Sequence, residues 1–559
     1  MRVVKLITVT LLLLAAQAML AQSAPAAVTV EQVIDRIIQR EHEQVKALSQ
    51  YAPIAETYIQ RMRQGAEDMF EPSDDQYFLG KLDLENGAFD DTLFTAVQSS
   101  GMMHGVKKHL ASPFKLSSFK FNAAGFAYEI FPDQANFDRQ HYDFTFVQRE
   151  FLGEVRTLVF DVAPQKHAGN GRFLGRIWVE DKDYAIVRFN GTYVPKPRTG
   201  LFFHFDSWRL NVSPNLWAPA YVYSEESDAK YGLSRTKELA FKAQTRIWGY
   251  NSKGGHKNSE FSDILIDSPD ASDHSAAAQD ASPLEGKRAF EQMAADNVVL
   301  KLERAGLLAA PSDLDKVLQT VVNNLQITNK LDLQPEVHCR VLLTTPLESF
   351  SVGHTIVISR GLIDVLPDEA SLAMVLSREL AHITLGHRFD TRYAFTDRLM
   401  FADTKTYQNL AFGHSPSEEQ AADDKANEYL KNSPYADKMA NAGLFLRALD
   451  NRAAQLSGLN HAHLGTALVD GGHVQHMTAL MNASPALEVR KLDQIAALPL
   501  GGRVKMNPWT NTVAMVKTAP IPITSAADKM PFEVTPFLPH IARFGAESTS
   551  PAVSAAKGQ

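Results

Sequence analysis

The sequence predicts an α+β protein: an antiparallel β-rich N-terminal domain followed by a mainly helical domain. Three observations predict it. Over residues 76–266 apolar residues fall into short runs, several alternating with period two and dense in aromatics, the pattern of pleated strands. Residues 268–285 are rich in Ser, Asp and Ala and nearly lack large apolar side chains, so they cannot bury themselves and read as a linker. Beyond it, over residues 286–500, apolar residues recur mostly at helical spacing.

The 559 residues suffice for two or three domains, and 45 % hydrophobic with 21 % charged residues is a globular composition. A net charge of −8 spread over this length argues against nucleic acid as a partner, because phosphate binding needs a basic surface. Arg2 and Lys5, the apolar run from Leu6 to Ala16, and the small residues Ala18, Ala21, Ser23 and Ala24 have the order of a secretory signal peptide over residues 1–22. The alternative is an uncleaved anchor, but that run is shorter than the ~20 apolar residues a spanning helix needs. The expectation is an exported protein, periplasmic or secreted, with no spanning segment after cleavage. Cys339 is the only cysteine, so neither an internal disulfide nor a lipid-anchor cysteine is available.

In chain order, residues 28–72 read as N-terminal helices from Val33, Ile34, Ile37 and Ile38. Phe119 and Phe121, then Phe126, Tyr128 and Ile130, alternate as strands do. Gly175 to Phe189 reads as a hairpin turning at Glu180 to Lys182, with further strands at Tyr142–Phe146, Arg156–Val162, Phe202–Leu210 and Ala220–Ser224. Residues 501–559 carry Pro508, Pro520, Pro522, Pro531, Pro536 and Pro539 and read as an extended tail whose last dozen residues are disordered.

The chemistry lies between Leu366 and His387. Asp368 after Pro367 starts a helix whose Leu372, Val375, Leu376 and Ile383 make it largely buried. Arg378, Glu379 and His382 share one face of that helix, and charged groups are costly inside unless paired or bound to metal. Zinc peptidases place His-Glu-x-x-His on such a helix, two histidines binding zinc and the glutamate activating the bound water. Here the stretch reads Arg378-Glu379-Leu380-Ala381-His382. Ser415-Pro416-Ser417-Glu418 is a capping box that opens a second helix, with Glu419 and Asp423 on one face.

Four blocks in order, covering residues 331–498, resemble the zinc metallopeptidase family that includes the heat-shock protease HtpX, the CAAX prenyl protease and the periplasmic protease BepA. Thr355 to Leu366 resembles its edge strand and following helix, and Ser377 to His387 its zinc helix. Glu419-Gln-Ala-Ala-Asp423 resembles its Glu-x-x-Ala-Asp, and Asn482 to Arg490 its later segment ending in Glu-Arg. The resemblance implies a gluzincin-type peptidase domain with Glu379 as general base, His382 and Glu419 as zinc ligands, and Asp423 behind the first ligand. That first position is Arg378, and Ser484 stands where many relatives have histidine. Arginine has no lone pair to offer zinc, so zinc affinity should be badly weakened; the cofactor is zinc if the site is active and none if it is not. Arg378 is expected to face Asp423 and Glu419 as a fixed organic cation, with Glu379 its ion-pair partner. Replacement ligands could come from His354, His414, His473 or His476. The pair His473 and His476 is the first choice, and Arg490 lies in the adjoining block. His387, five residues after His382, falls about 140° further round an unbroken helix, off the site.

The β-rich stretch resembles the lipoprotein-localisation fold, a curved sheet that shelters acyl chains, in its strand rhythm and the hairpin Gly175 to Asp181 alone. Three functions follow. The first is a peptidase-like protein of the cell envelope that binds unfolded or extended polypeptide, chaperone-like, along the strand at Thr355–Ser359. The second is an active zinc endopeptidase with an unusual ligand set. The third is a carrier of lipid or another apolar ligand through the β-rich domain.

Overall fold

The computed structural model describes residues 29–64, 70–84, 88–94, 126–194, 204–226, 241–250, 282–389, 394, 410–460, 464–488, 491, 493–517 and 529–545. Residues 1–22, read as a signal peptide, Phe119 and Phe121, most of residues 268–285, Arg490 and the last dozen residues lie outside them.

Helix α1 (Val30–Leu48) opens with a full capping box between Thr29 and Gln32. The sequence expectation of helix to residue 72 is corrected here. Pro53 follows the helix, and the chain then enters strands β1 (Ile54–Gln64) and β2 (Phe70–Asp83). Ile54 to Gln60 are all buried. A strand covered on both faces loses the alternation that would identify it.

These strands and β3 (Ala88–Phe94), β4 (Tyr142–Leu152), β5 (Val155–Pro164), β6 (Arg172–Glu180), β7 (Ile186–Val194), β8 (His204–Ser213), β9 (Leu216–Glu226) and β10 (Phe241–Trp248) form one antiparallel sheet. Its order is β3-β2-β1-β10-β9-β8-β7-β6-β5-β4. The expected hairpin is β6–β7, with its connection over residues 181–185 rather than inside Glu180–Lys182. Phe126 to Ile130, expected as strand, form a helical turn instead. Ile130 packs in the core beneath α1, and Phe126 joins a separate cluster with Ile59 and Phe241.

Each face of the sheet has its own core. On one face Phe173, Ile177, Phe189 and Phe205 meet Ile34 and Ile37 of α1. The fully buried pair Glu41–Arg209 crosses from helix to sheet by two bonds of 2.6 Å. On the other face Tyr58, Trp178, Trp208 and Trp248 belong to the same core as the helical domain.

That domain begins earlier than expected. Helix α2 (Pro283–Arg304) starts inside residues 268–285, because Ser282 and Glu285 make a capping box around Pro283. Helix α3 (Asp313–Thr328) follows, then strands β11 (His338–Leu342), β12 (Glu348–Val352) and β13 (Thr355–Ser359). Next come α4 (Arg360–Val365), α5 (Glu369–Thr384), α6 (Pro416–Lys431), α7 (Met439–Ala453), α8 (Ser457–Asn460) and the short strand β14 (Thr466–Ala467). The small sheet runs β11-β13-β12-β14. Thr355–Ser359, expected as an edge strand, is therefore interior, parallel to β11 and antiparallel to β12. Its apolar run is the mark of a strand covered on both faces. The described part of the tail carries a two-strand hairpin at Val504–Met506 and Val513–Met515. It returns to the large sheet, where Gln60 bonds the backbone of Phe532 and Val534 at 2.6 and 2.7 Å.

Among the described residues no helix is long and apolar enough to cross a membrane.

A guanidinium at the candidate metal centre

Helix α5 is capped by Asp368, whose carboxylate accepts from the backbone and hydroxyl of Ser371 at 2.8 and 2.7 Å. From Ala373 to His382 every residue is buried. Helix α6 packs along it. Ser415 and Glu418 fix the first turn of α6 by a capping box, which sets Glu419 and Asp423 toward α5.

Arg378 joins these groups. Its Nε donates to Asp423 Oδ1 at 3.1 Å, its Nη1 lies 3.3 Å from Glu379 Oε1, and its Nη2 contacts Glu419 Oε2. All four side chains are buried. Three carboxylates thus surround one guanidinium. Ser349 on β12 donates to Glu379 Oε1 at 2.7 Å, Thr466 on β14 donates to Glu419 Oε1 at 2.6 Å, and the backbone N–H of Met477 donates to Asp423 Oδ2 at 2.7 Å. Burial pushes the Glu379 carboxyl above its ordinary range, with Arg378 and Ser349 pulling the other way.

His476 is drawn into this cluster: its Nδ1 lies 3.4 Å from Arg378 Nη2, 3.7 Å from Asp423 Oδ2 and 3.8 Å from Glu419 Oε2. His473 is not. It is three-quarters exposed and 3.5 Å from Asp450. His354 is also absent from the site, its backbone carbonyl accepting from His338 N beside β11.

The other side of His382 departs from expectation. Helix α5 stops at Thr384, Gly386 takes the left-handed conformation at φ 68°, and the N–H of His387 bonds back to His382 O at 3.0 Å. This turn cancels the angle assumed for an unbroken helix and lays His387 Nδ1 2.9 Å from His382 Nδ1. His414, just before α6, stacks on His382 with centroids 4.0 Å apart. One nitrogen from each of His382, His387 and His414 lies within 4.8 Å of the others. Gly386 was the sequence signal for this turn; the position of His414 has no local signal. Burial and the neighbouring Arg378 hold His382 far below the ordinary imidazole range, at about 2, and burial holds His414 at about 4, so both are neutral at pH 7.

A zinc ion fits poorly where the motif would put it. His382 Nε2 and Glu419 Oε2 are 3.4 Å apart, as two ligands could be, but Arg378 Nη2 sits against the same carboxylate oxygen and supplies the positive charge. Three protein ligands are the norm at a catalytic zinc, and a guanidinium cannot be the third.

No curated protein matches this chain. A crystal structure of a domain assigned to outer membrane lipoprotein sorting in Vibrio parahaemolyticus aligns with 41 % of this chain and 97 % of its own length, at 11 % identity and a TM-score of 0.19. The family model described as Peptidase family M48, whose peptidases are generally zinc-dependent, matches residues 313–404. The match takes in Arg378, Glu379, His382 and His387 and stops short of Glu419 and Asp423. Residues 313–404 are a domain of Peptidase family M48.

Proposed function

We propose that this is an exported metallopeptidase-family protein that holds extended polypeptide without hydrolysing it by the family's zinc route. The observation that carries the reading is the Arg378 guanidinium locked among Glu379, Glu419 and Asp423. It takes the cation's place, leaves Glu379 bound to Ser349 and Arg378, and offers no Lewis acid to polarise a carbonyl. The strand at Thr355–Ser359 is enclosed, so the binding edge is instead β12. Among the described residues its outer side is paired through Glu348 with Ala467 and Ser349 with Thr466 alone. An extended peptide would replace β14 there, next to Glu379. Export rests on the order of charge, apolar run and small residues over residues 1–22.

The test uses a fluorescent, permanently unfolded polypeptide and the full mature chain. Saturable binding with no cleavage, weakened by a proline at Ser351 on the ladder, is the expected result. Chelator-sensitive cleavage by the unmodified chain would establish the zinc endopeptidase instead.

A further inference from the structure

His382 and the two histidines on its far side, His387 and His414, play no part in that reading. They come from three places: the last turn of α5, the left-handed turn after it, and the segment entering α6. His382 is 1 % exposed. Both ring nitrogens of His414 are buried without a hydrogen-bond partner among the described residues. Buried polar atoms left unpaired are rare and call for a ligand.

The two edges of the His382 ring face different surroundings. Nε2 looks toward Glu419 and, beyond it, the Arg378 guanidinium. Nδ1 looks toward His387. A cation on the Nε2 edge would meet the guanidinium; one on the Nδ1 edge would be separated from it by the imidazole and the Glu419 carboxylate. We propose that His382, His387 and His414 form a binding site for a divalent late transition metal, zinc foremost, displaced from the family's position to the opposite edge of His382.

Metal chemistry agrees with the donor set. Three imidazoles suit zinc, copper, nickel and cobalt rather than magnesium or calcium. Tetrahedral ligands at zinc–nitrogen distances of about 2.0–2.1 Å sit roughly 3.3 Å apart. The Nδ1 atoms of His382 and His387 are already 2.9 Å apart, and the three nitrogens lie within 4.8 Å. Closing the remainder takes rotation of the His414 ring out of its stack about χ2, a soft torsion. The protons balance. With the metal on Nδ1 of His382 its proton sits on Nε2, aimed at the Glu419 carboxylate, the usual arrangement behind a metal-bound imidazole. A metal on Nδ1 of His387 likewise requires the tautomer with its proton on Nε2. The bound ion would pin the segment before α6 to the end of α5.

The test is calorimetric titration of zinc into the full chain after chelator treatment, with Co2+ as a second probe read by its visible absorption. The expected result is one equivalent of zinc bound, with affinity lowered at least about tenfold by His387→Ala and by His414→Ala, and Co2+ bands typical of four coordination. Uptake lost in Glu419→Gln but unaffected by both histidine variants would place the ion at the family's position and overturn the proposal. Because a variant could misfold, the parent is also melted with and without zinc. Binding to the native state raises Tm, and a folded parent that zinc neither stabilises nor titrates would equally overturn it. Neither readout depends on polypeptide binding.

Discussion

Arg378 is a side chain whose value depends on its three partners. The side chain is 2 % exposed, as is that of Glu379, while those of Glu419 and Asp423 are 6 % and 7 % exposed. Replacing it with methionine would keep much of the volume and leave those carboxylates without their cation. Breaking a buried ion cluster by removing one member costs about 3–5 kcal/mol. Arg378→Met should therefore lower stability by about that much in urea denaturation at pH 7. A change under about 1 kcal/mol would mean that the carboxylates are protonated or reached by water. This part of the site was legible from the residues alone: a buried helix carrying Arg-Glu-x-x-His, and a second helix carrying Glu and Asp one turn apart, leave the guanidinium few other places to go. His387 was not legible by angular extrapolation, because the helix ends before it at Gly386. His414 arrives from a segment whose path depends on tertiary packing.

At the scale of elements, the capping boxes decide where helices begin, and the one at Ser415 also aims the site. Ser415 Oγ accepts from Glu418 N at 3.4 Å, the Glu418 carboxylate accepts from Ser415 N at 3.0 Å, and Pro416 takes the first helical position. Ser415→Ala should cost about 1 kcal/mol in chemical denaturation. By loosening the turn that carries Glu419 it should also weaken the contact with Arg378. An unchanged midpoint would show that the box contributes little. Asp368 and Ser415 were read from the sequence as helix starts, and both cap helices; Thr29 and Ser282 also cap helices but were not read as such. Strands flanked on both sides were harder. β1 and β13 lie inside their sheets and carry continuous burial. Neither shows the alternation that marks an exposed face, so β1 read as helix; β13 was expected at an edge from the family resemblance alone.

Across the whole molecule the two halves do not stand apart. Tyr58, Trp208 and Trp248 of the large sheet lie in one core with Leu307, Ile358 and Leu376 of the helical domain. Arg360 at the start of α4 donates to Glu56 of β1 at 2.7 Å. A fragment cut at residue 76 would lose β1 and half of β2, so the β-rich half cannot be defined by its aromatic density alone. Two carboxylates at this junction titrate abnormally. Asp75 on β2 accepts from Tyr58 Oη and from the backbone N–H groups of Gly458 and Leu459, at 2.7, 2.6 and 2.7 Å. Asp364 on α4 lies 3.6 Å from Arg246 of β10. Burial pushes both up to about 6, against about 3.9 in the unfolded chain. Between about pH 4 and about pH 6 the native state therefore holds more protons than the unfolded one, and stability falls as pH rises. Their extra stabilisation is complete below about pH 4 and gone once pH passes about 6, opposite in sign to an ordinary salt-bridged carboxylate. Asp75→Asn keeps a carbonyl acceptor and removes one of the two titrations. Thermal melting across this window should show a shallower dependence on pH in the variant than in the parent. Identical slopes would mean that Asp75 stays ionised in the folded junction.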